Sequence, residues 1–133
     1  PLGSPRALAR PSFSMIPTVV LKNGEPVLVA GGSGGFCIAT GVSQVTMAVL
    51  ARGLSARAAV TEPRVHVSHD GTLVLEPGAV DAPTREDLAR RGEALKEDDN
   101  ISAVQAVSLS PGPSGWWLEP AADPRKFGLA EAR

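Results

Sequence analysis

The stretch that decides the fold is Pro11–Gly35, PSFSMIPTVVLKNGEPVLVAGGSGG. Two apolar runs rich in β-branched residues, Thr18–Leu21 and Val27–Ala30, lie on either side of Lys22-Asn23-Gly24-Glu25. Because Asn-Gly accepts positive φ at both central positions of a tight turn, this stretch predicts a β-hairpin. The glycine-rich run 31–35 then predicts a tight connection into whatever element follows.

The pattern of apolar residues and turn residues predicts the elements downstream. They are a helix over Thr40–Arg52, a short helix over Ala56–Thr61, strands over Arg64–Ser68 and Thr72–Glu76, a helix over Leu88–Lys96 preceded by a cap near Thr84, and strands over Ser102–Ser108 and Gly115–Leu118. Three antiparallel hairpins separated by helices are typical of an α+β layered domain. They do not fit a doubly wound parallel sheet.

Composition excludes several classes of protein. The chain has 133 residues, enough for one domain, and its 43% hydrophobic and 20% charged residues are typical of a globular protein. Its net charge of −1 gives no basic surface for nucleic acid or anionic lipid. The single cysteine excludes a disulfide framework. No uninterrupted apolar run approaches the roughly 18 residues of a membrane span, so no membrane contact is expected.

The ends of the chain differ in character from its middle. Residues 1–4 resemble the remnant of a cleavable tag, and residues 5–11, rich in Arg, Pro and Ala, are typical of a linker. The natural protein is therefore expected to extend further. A single domain is predicted over residues 12–126, followed by a tail over residues 127–133.

Few residues stand out as candidates for chemistry. The glycine run is either a backbone cradle for an anion at a helix start or simply a tight turn. It lacks the Gly-Lys-Ser/Thr of a phosphate-binding loop. His66 and His69 are spaced poorly for a metal pair, and Cys37 has no His nearby in sequence to activate it. No metal or cofactor is predicted.

Taken in order, five landmarks resemble the small subunit of the γ-glutamyltransferase family. Pro11–Gly35 resembles the family's Ser-Ser-Met segment, hairpin and glycine loop, and the helix from Thr40 is similar to the family's next helix. The remaining matches are GLSARAAVTEPRVHV at Gly53–Val67, LEPG at Leu75–Gly78 and AADPR at Ala121–Arg125. The resemblance covers residues 9–126 and implies part of an αββα sandwich of the N-terminal nucleophile hydrolase type.

The resemblance also implies a mechanism and a site. In this family a Thr freed by self-cleavage attacks a γ-glutamyl amide, with its own α-amine as the activating base. Gly34 and Gly35 match the pair whose N–H groups form the oxyanion hole. Ser14 matches the second of two serines that hold the substrate carboxylate.

Several positions depart from the family pattern. Phe13 stands where the first paired Ser is expected, Ser33 replaces the loop Pro, and Phe36-Cys37 replaces Ser-Arg. The nucleophilic Thr has no counterpart in this chain. Phe13, Ser14 and Cys37 are therefore the candidate substrate-binding residues, with Gly34 and Gly35 as the catalytic pair.

The expected partners follow from the resemblance. They are a small-molecule substrate, a large subunit, the N-terminal part of the small subunit and, through an exposed strand edge, a second copy of the chain. Three functions remain open: a portion of a γ-glutamyltransferase, a relative in a natural-product pathway acting on a non-glutamyl substrate, or a non-catalytic binding module. The family is commonly periplasmic or secreted, and the chain carries no signal that fixes its compartment.

Overall fold

The computed structural model describes residues 14–132. Its strands are β1 (Thr18–Lys22), β2 (Glu25–Ser33), β3 (Val65–Val67), β4 (Leu73–Leu75), β5 (Leu95–Glu97), β6 (Ala103–Gly112) and β7 (Gly115–Ala121). Its α-helices are α1 (Ile38–Arg52), α2 (Ala56–Thr61) and α3 (Ala82–Arg90), and a 3-10 turn at Gly35–Cys37 precedes α1. This confirms the predicted α+β class.

The first hairpin forms where Asn-Gly predicts it. Asn23 and Gly24 have φ values of 54° and 87°, and Thr18 of β1 pairs with Ala30 of β2. The larger sheet has the strand order β1-β2-β6-β7 and is antiparallel throughout. Because β2 and β6 are its central strands, the glycine run at the end of β2 leaves the sheet from its middle.

One face of this sheet is covered by α1 and α2. The buried core between them consists of Leu28, Ala30, Ile38, Val42, Val45, Ala48, Ala56, Ala59, Val60, Val104, Ala106 and Ala121. The spacing of Ile38, Val42, Val45 and Ala48 places one stripe of α1 against the sheet, as the sequence periodicity requires. Burial of this stripe fixes the position of the α1 N-terminus relative to β2.

The opposite face of the sheet keeps apolar side chains in solvent. Val19 and Val29, which alternate with the packed Val20 and the buried Leu28, are exposed. Leu118 of β7 is exposed as well. A cavity of about 730 Å³ opens on this face between the strands and the segment Phe127–Glu131. That segment contains neither helix nor strand.

A second, three-stranded sheet has the order β3-β4-β5, in which β4 and β5 run parallel. The side-chain amide of Gln44 ties this sheet to α1. Its Nε2 donates to the Val65 carbonyl at 2.8 Å and its Oε1 accepts from the Val65 N–H at 3.0 Å. The Gln44 side chain thus bonds both backbone groups of Val65 on the edge strand β3, as a neighbouring strand would.

The third helix differs from its predicted position. It begins after Asp81, whose Oδ1 accepts from the Thr84 N–H at 2.9 Å, and it ends at Arg90. The prediction of a helix over Leu88–Lys96 is therefore wrong. Gly92, with φ 86°, turns the chain directly after the helix, and the following residues pair with β4 as a strand instead.

One segment of the described chain, Gly35–Arg52, is long and apolar enough to cross a membrane by length and composition alone. This differs from the expectation that no stretch comes close to that length. The segment is the 3-10 turn and α1, whose apolar stripe packs against β2 and β6. A core helix of a layered domain meets the same criterion.

Candidate active site

The glycine loop connects the end of β2 to α1. The register of β2 with β6 ends at Ser33, one residue before Gly34. Gly34 has φ 139° and Gly35 has φ 62°, two backbone conformations that residues with a side chain rarely adopt. Two successive glycines at this position are therefore required by the backbone, whatever their function.

In the hydrogen bonds within the loop, the two glycines act as acceptors. The Cys37 N–H donates to the Gly34 carbonyl at 3.3 Å, and the Ile38 N–H donates to the Gly35 carbonyl. The turn therefore engages the carbonyls of both glycines and leaves their N–H groups out of its own bonding. A Cβ on Gly35 would meet no atom within 4 Å, so that side of the loop is open. Two adjacent N–H groups at a helix start can polarise an oxyanion.

Ser14 lies at the same end of the sheet as this loop. Thr18 of β1 pairs with Ala30 of β2. The residues that precede Thr18 and those that follow Ala30 therefore extend from the same end of the hairpin. Ser14 is half-buried. The register thus directs Ser14 and the Gly34–Gly35 pair toward the same end of the sheet, while Phe13 lies outside the described residues.

Cys37 is half-buried at the end of the 3-10 turn. Burial raises the pKa of its thiol, and the negative charge of Asp98 raises it further. The thiol is therefore protonated at neutral pH and is a poor nucleophile. Cys37 supplies neither a thiolate nor the cation expected at this position of the loop.

His66 and His69 do not form a metal centre. The Nδ1 of His66 lies 3.0 Å from the Thr40 hydroxyl, which ties β3 to the first turn of α1. Within residues 14–132, no group of three or more His, Cys, Asp or Glu is placed to hold a metal ion.

Four charged side chains, three of them buried and one half-buried, contact one another next to residues 101 and 102. We call Arg64, Glu76, Asp123 and Arg125 the charge cluster. Arg64 Nη2 donates to Asp123 Oδ2 at 2.7 Å, Arg125 Nη1 donates to Asp123 Oδ1 at 3.0 Å, and Arg125 Nε donates to Glu76 Oε1 at 2.7 Å. Arg64, Glu76 and Asp123 are each less than 5% exposed.

Backbone groups complete the cluster. The Asp123 carboxylate accepts from the Val104 N–H, and the Glu76 carboxylate accepts from the N–H groups of Arg64 and Ile101. Burial raises the pKa of both acids, but the hydrogen bonds they accept, from Arg125 and the backbone foremost, outweigh burial and leave each pKa below its ordinary value. Both carboxylates are therefore ionised at neutral pH.

The charge cluster explains three of the sequence landmarks. Arg64 belongs to TEPR, Glu76 to LEPG, and Asp123 and Arg125 to AADPR. Segments up to 65 residues apart thus meet at one buried site. The sequence alone did not mark these residues as a cluster, because a charge in a Pro-containing segment has the pattern of a surface residue.

Comparison with known proteins identifies the family of the chain. Residues 4–132 match the family model described as gamma-glutamyltranspeptidase. A crystallised γ-glutamyltranspeptidase mutant from Helicobacter pylori superposes with a TM-score of 0.84 at 33% identity, covering 91% of this chain and 66% of that one. A cephalosporin acylase from Bacillus halodurans superposes with a TM-score of 0.73 at 28% identity, covering 84% of this chain and 21% of that one.

Among curated relatives, the mouse glutathione hydrolase 5 proenzyme is 33% identical over 125 residues. The match takes in 91% of this chain and 21% of the relative. The chain therefore spans about a fifth of the length of this relative. With the family model matching nearly every residue, the chain belongs to the γ-glutamyltranspeptidase family.

Proposed function

We propose that the chain is the C-terminal portion of the small subunit of a γ-glutamyltranspeptidase-type enzyme, and that it contributes the oxyanion hole. The observation that carries this proposal is the Gly34–Gly35 pair, placed between a central strand and a helix start with its carbonyls engaged and one side open. In acyl transfer, such a pair stabilises the negative oxygen that forms as the amide is attacked.

The remaining parts of the site come from outside the chain. The chain holds no counterpart of the family's nucleophilic Thr, and it spans only part of its relatives. The exposed apolar face of the larger sheet, with Val19, Val29 and Leu118, supports a partner layer at that surface. The large subunit and the N-terminal part of the small subunit are the proposed occupants, and in their absence a second copy is the alternative.

The proposed substrate is a γ-glutamyl amide. The N–H groups of Gly34 and Gly35 would donate to its carbonyl oxygen, and the Ser14 hydroxyl would donate a hydrogen bond to its carboxylate.

A non-glutamyl amide is the second candidate, and Cys37 favours it. A protonated thiol, with Asp98 near enough to raise its pKa, offers no positive charge to a substrate carboxylate. Similarity to a cephalosporin acylase shows that the same fold also occurs in a protein named for a different acyl group. Relative rates on γ-glutamyl and non-glutamyl anilides distinguish the two candidates.

The proposal is tested in the full-length protein with a matched pair of glycine variants. Gly35 and Gly53 have φ values of 62° and 68°, and a Cβ on either meets no atom within 4 Å. Alanine therefore introduces similar backbone strain at both positions, about 1 kcal/mol. Only Gly35→Ala changes the proposed oxyanion hole, whereas Gly53→Ala changes the end of α1.

The measurement is the release of p-nitroaniline from γ-glutamyl-p-nitroanilide. We expect Gly35→Ala to lower kcat about tenfold or more, because oxyanion donors act in the transition state. We expect Gly53→Ala to retain kcat within about twofold. Equal rates for the two variants would remove the glycine pair from the mechanism.

A further inference from the structure

Ser102 is buried directly beneath the glycine loop. A Cβ built on Gly34 would lie 3.0 Å from both the Cα and the Cβ of Ser102, and 3.2 Å from the Ile101 carbonyl oxygen. A Cβ built on Gly41, in the first turns of α1, would collide with the Ser102 hydroxyl. Ser102 therefore fills the space between the loop and the helix that follows it.

The charge cluster holds Ser102 in place. The Arg64 guanidinium donates a hydrogen bond to the Ser102 carbonyl oxygen. The Ile101 N–H donates to Glu76 Oε1 at 3.1 Å. Because both charged groups are buried and paired, residues 101 and 102 cannot shift without disturbing the cluster.

The Ser102 hydroxyl contributes no hydrogen bond to the described residues, which leaves the side chain's volume as its contribution. It is buried and has no hydrogen-bond partner within the described residues. A buried hydroxyl without a hydrogen-bond partner lowers the stability of the fold. A reason other than hydrogen bonding must therefore account for Ser102 at this position. The hollow left by the missing side chain of Gly41 accommodates it, and its methylene contacts Gly34.

We propose that Ser102 is a positioning residue for the oxyanion hole, with Gly41 as the matching hollow in α1. The Cβ of Ser102 limits how closely the Gly34 backbone can approach residue 102. This limit fixes the direction in which the N–H groups of Gly34 and Gly35 point. The inference rests on the proposed function for its effect on catalysis, but not for its effect on the loop.

Four variants of the full-length protein test it. Ser102→Gly removes the support beneath Gly34, and Gly41→Ala pushes against Ser102. The double variant Gly41→Ala/Ser102→Gly returns a methyl group to the vacated space. Ser102→Ala keeps the Cβ and serves as the conservative rescue. Ser43→Ala, on the exposed side of α1, controls for the change in helix propensity.

Two readouts separate the inference from the proposed function. The first is the rate at which iodoacetamide alkylates Cys37, followed by peptide mapping, since the Cys37 N–H is bonded to the Gly34 carbonyl and its exposure follows the loop. The second is kcat and KM on γ-glutamyl-p-nitroanilide. The kcat readout is not moved by a loss of stability alone when all variants are compared well below their unfolding temperatures.

We expect Ser102→Gly and Gly41→Ala to raise the Cys37 alkylation rate several-fold and to lower kcat about tenfold, with KM within about twofold. We expect the double variant and Ser102→Ala to recover most of both losses. If Gly41→Ala fails to fold, Ser102→Gly carries the test.

Wild-type alkylation and kcat in Ser102→Gly would overturn the inference. So would equal losses in Ser102→Gly and Ser102→Ala, because the hydroxyl and not the Cβ would then be responsible. If alkylation follows the prediction while the wild-type protein cleaves no γ-glutamyl anilide, the positioning role stands and the proposed substrate is wrong.

Discussion

Replacing Asp123 by Asn tests whether the charge cluster holds the domain together. The Asp123 carboxylate accepts four hydrogen bonds, from Arg64 Nη2 at 2.7 Å, the Val104 N–H at 2.8 Å, and the Arg125 N–H and Nη1 at 3.0 Å each. Asn keeps the volume but removes the negative charge, and it turns an NH₂ group toward donors. The Arg64 guanidinium then loses its ion-pair partner, because the Glu76 carboxylate pairs with Arg125.

The expected magnitude follows from the burial of the pair. Removing one partner of a buried ion pair costs about 3–5 kcal/mol, because the other charge is left without compensation. With a urea m-value of about 2 kcal/mol/M, a loss of about 4 kcal/mol lowers the unfolding midpoint by about 2 M. The assay is urea unfolding of the 133-residue chain at pH 7, followed by far-UV circular dichroism.

Asp87→Asn is the matched control. Asp87 also pairs with two arginines, Arg90 at 2.7 Å and Arg91 at 2.6 Å, but its side chain is 39% exposed and theirs are more than 70% exposed. Exposed ion pairs contribute about 0–1 kcal/mol, so the control moves the midpoint by less than about 0.5 M. Equal midpoint shifts for the two variants would refute the reasoning.

The pH dependence of folding stability is a second measurement on the Asp123→Asn variant. The folded pKa values of Asp123 and Glu76 lie below their ordinary values, so folding is stabilised above the unfolded pKa of each acid. This stabilisation is lost as the pH falls through the folded values. We expect wild-type stability to decline with acidification below about pH 4. Asp123→Asn should show a shallower decline, because one of the two acids is gone.

Three further predictions follow from the family assignment. The 133-residue chain alone should release no p-nitroaniline from γ-glutamyl-p-nitroanilide above a heat-killed control, because it contains no counterpart of the nucleophilic Thr, and clear turnover would contradict this. Phe13→Ser in the full-length protein should raise γ-glutamyl hydrolysis relative to other amides by supplying a second hydroxyl, and glutathione hydrolysis by the wild type at rates typical of the family would contradict this. The chain should dimerise, or recruit a partner, through an exposed edge strand of the larger sheet, and a purely monomeric sedimentation profile at high concentration would count against it.

Local features of the fold could be predicted from the sequence. Two residues specify the Asn23-Gly24 turn, and this turn fixes how the strands beside it pair. Only the lengths of the two strands are then left open. The glycine loop was predictable for the same reason, since it lies between a strand run and a helical pattern. The hairpin register, which directs Ser14 and the glycine loop toward the same end of the sheet, is set by the same turn.

Nonlocal features could not be predicted in this way. The end of α3 depends on the pairing of β5 with β4, and the pattern of residues 88–96 gives no sign of that partner. The charge cluster joins residues 49 to 59 positions apart, so each charge looks like a surface residue until the fold is known. Gly41 is unfavourable inside a helix, and the nonlocal neighbours Ser102 and Val104 account for it.

The central claim is that the amides of Gly34 and Gly35 receive the oxygen of the acyl group. The most direct test is a crystal structure of the full-length protein trapped with L-DON, the ligand present in the γ-glutamyltranspeptidase structure from Pseudomonas nitroreducens. We predict the ligand's oxygen at hydrogen-bonding distance, about 2.7–3.1 Å, from both amide nitrogens, with Ser14 at the same edge of the site. A ligand bound with its oxygen away from both amides would contradict the account.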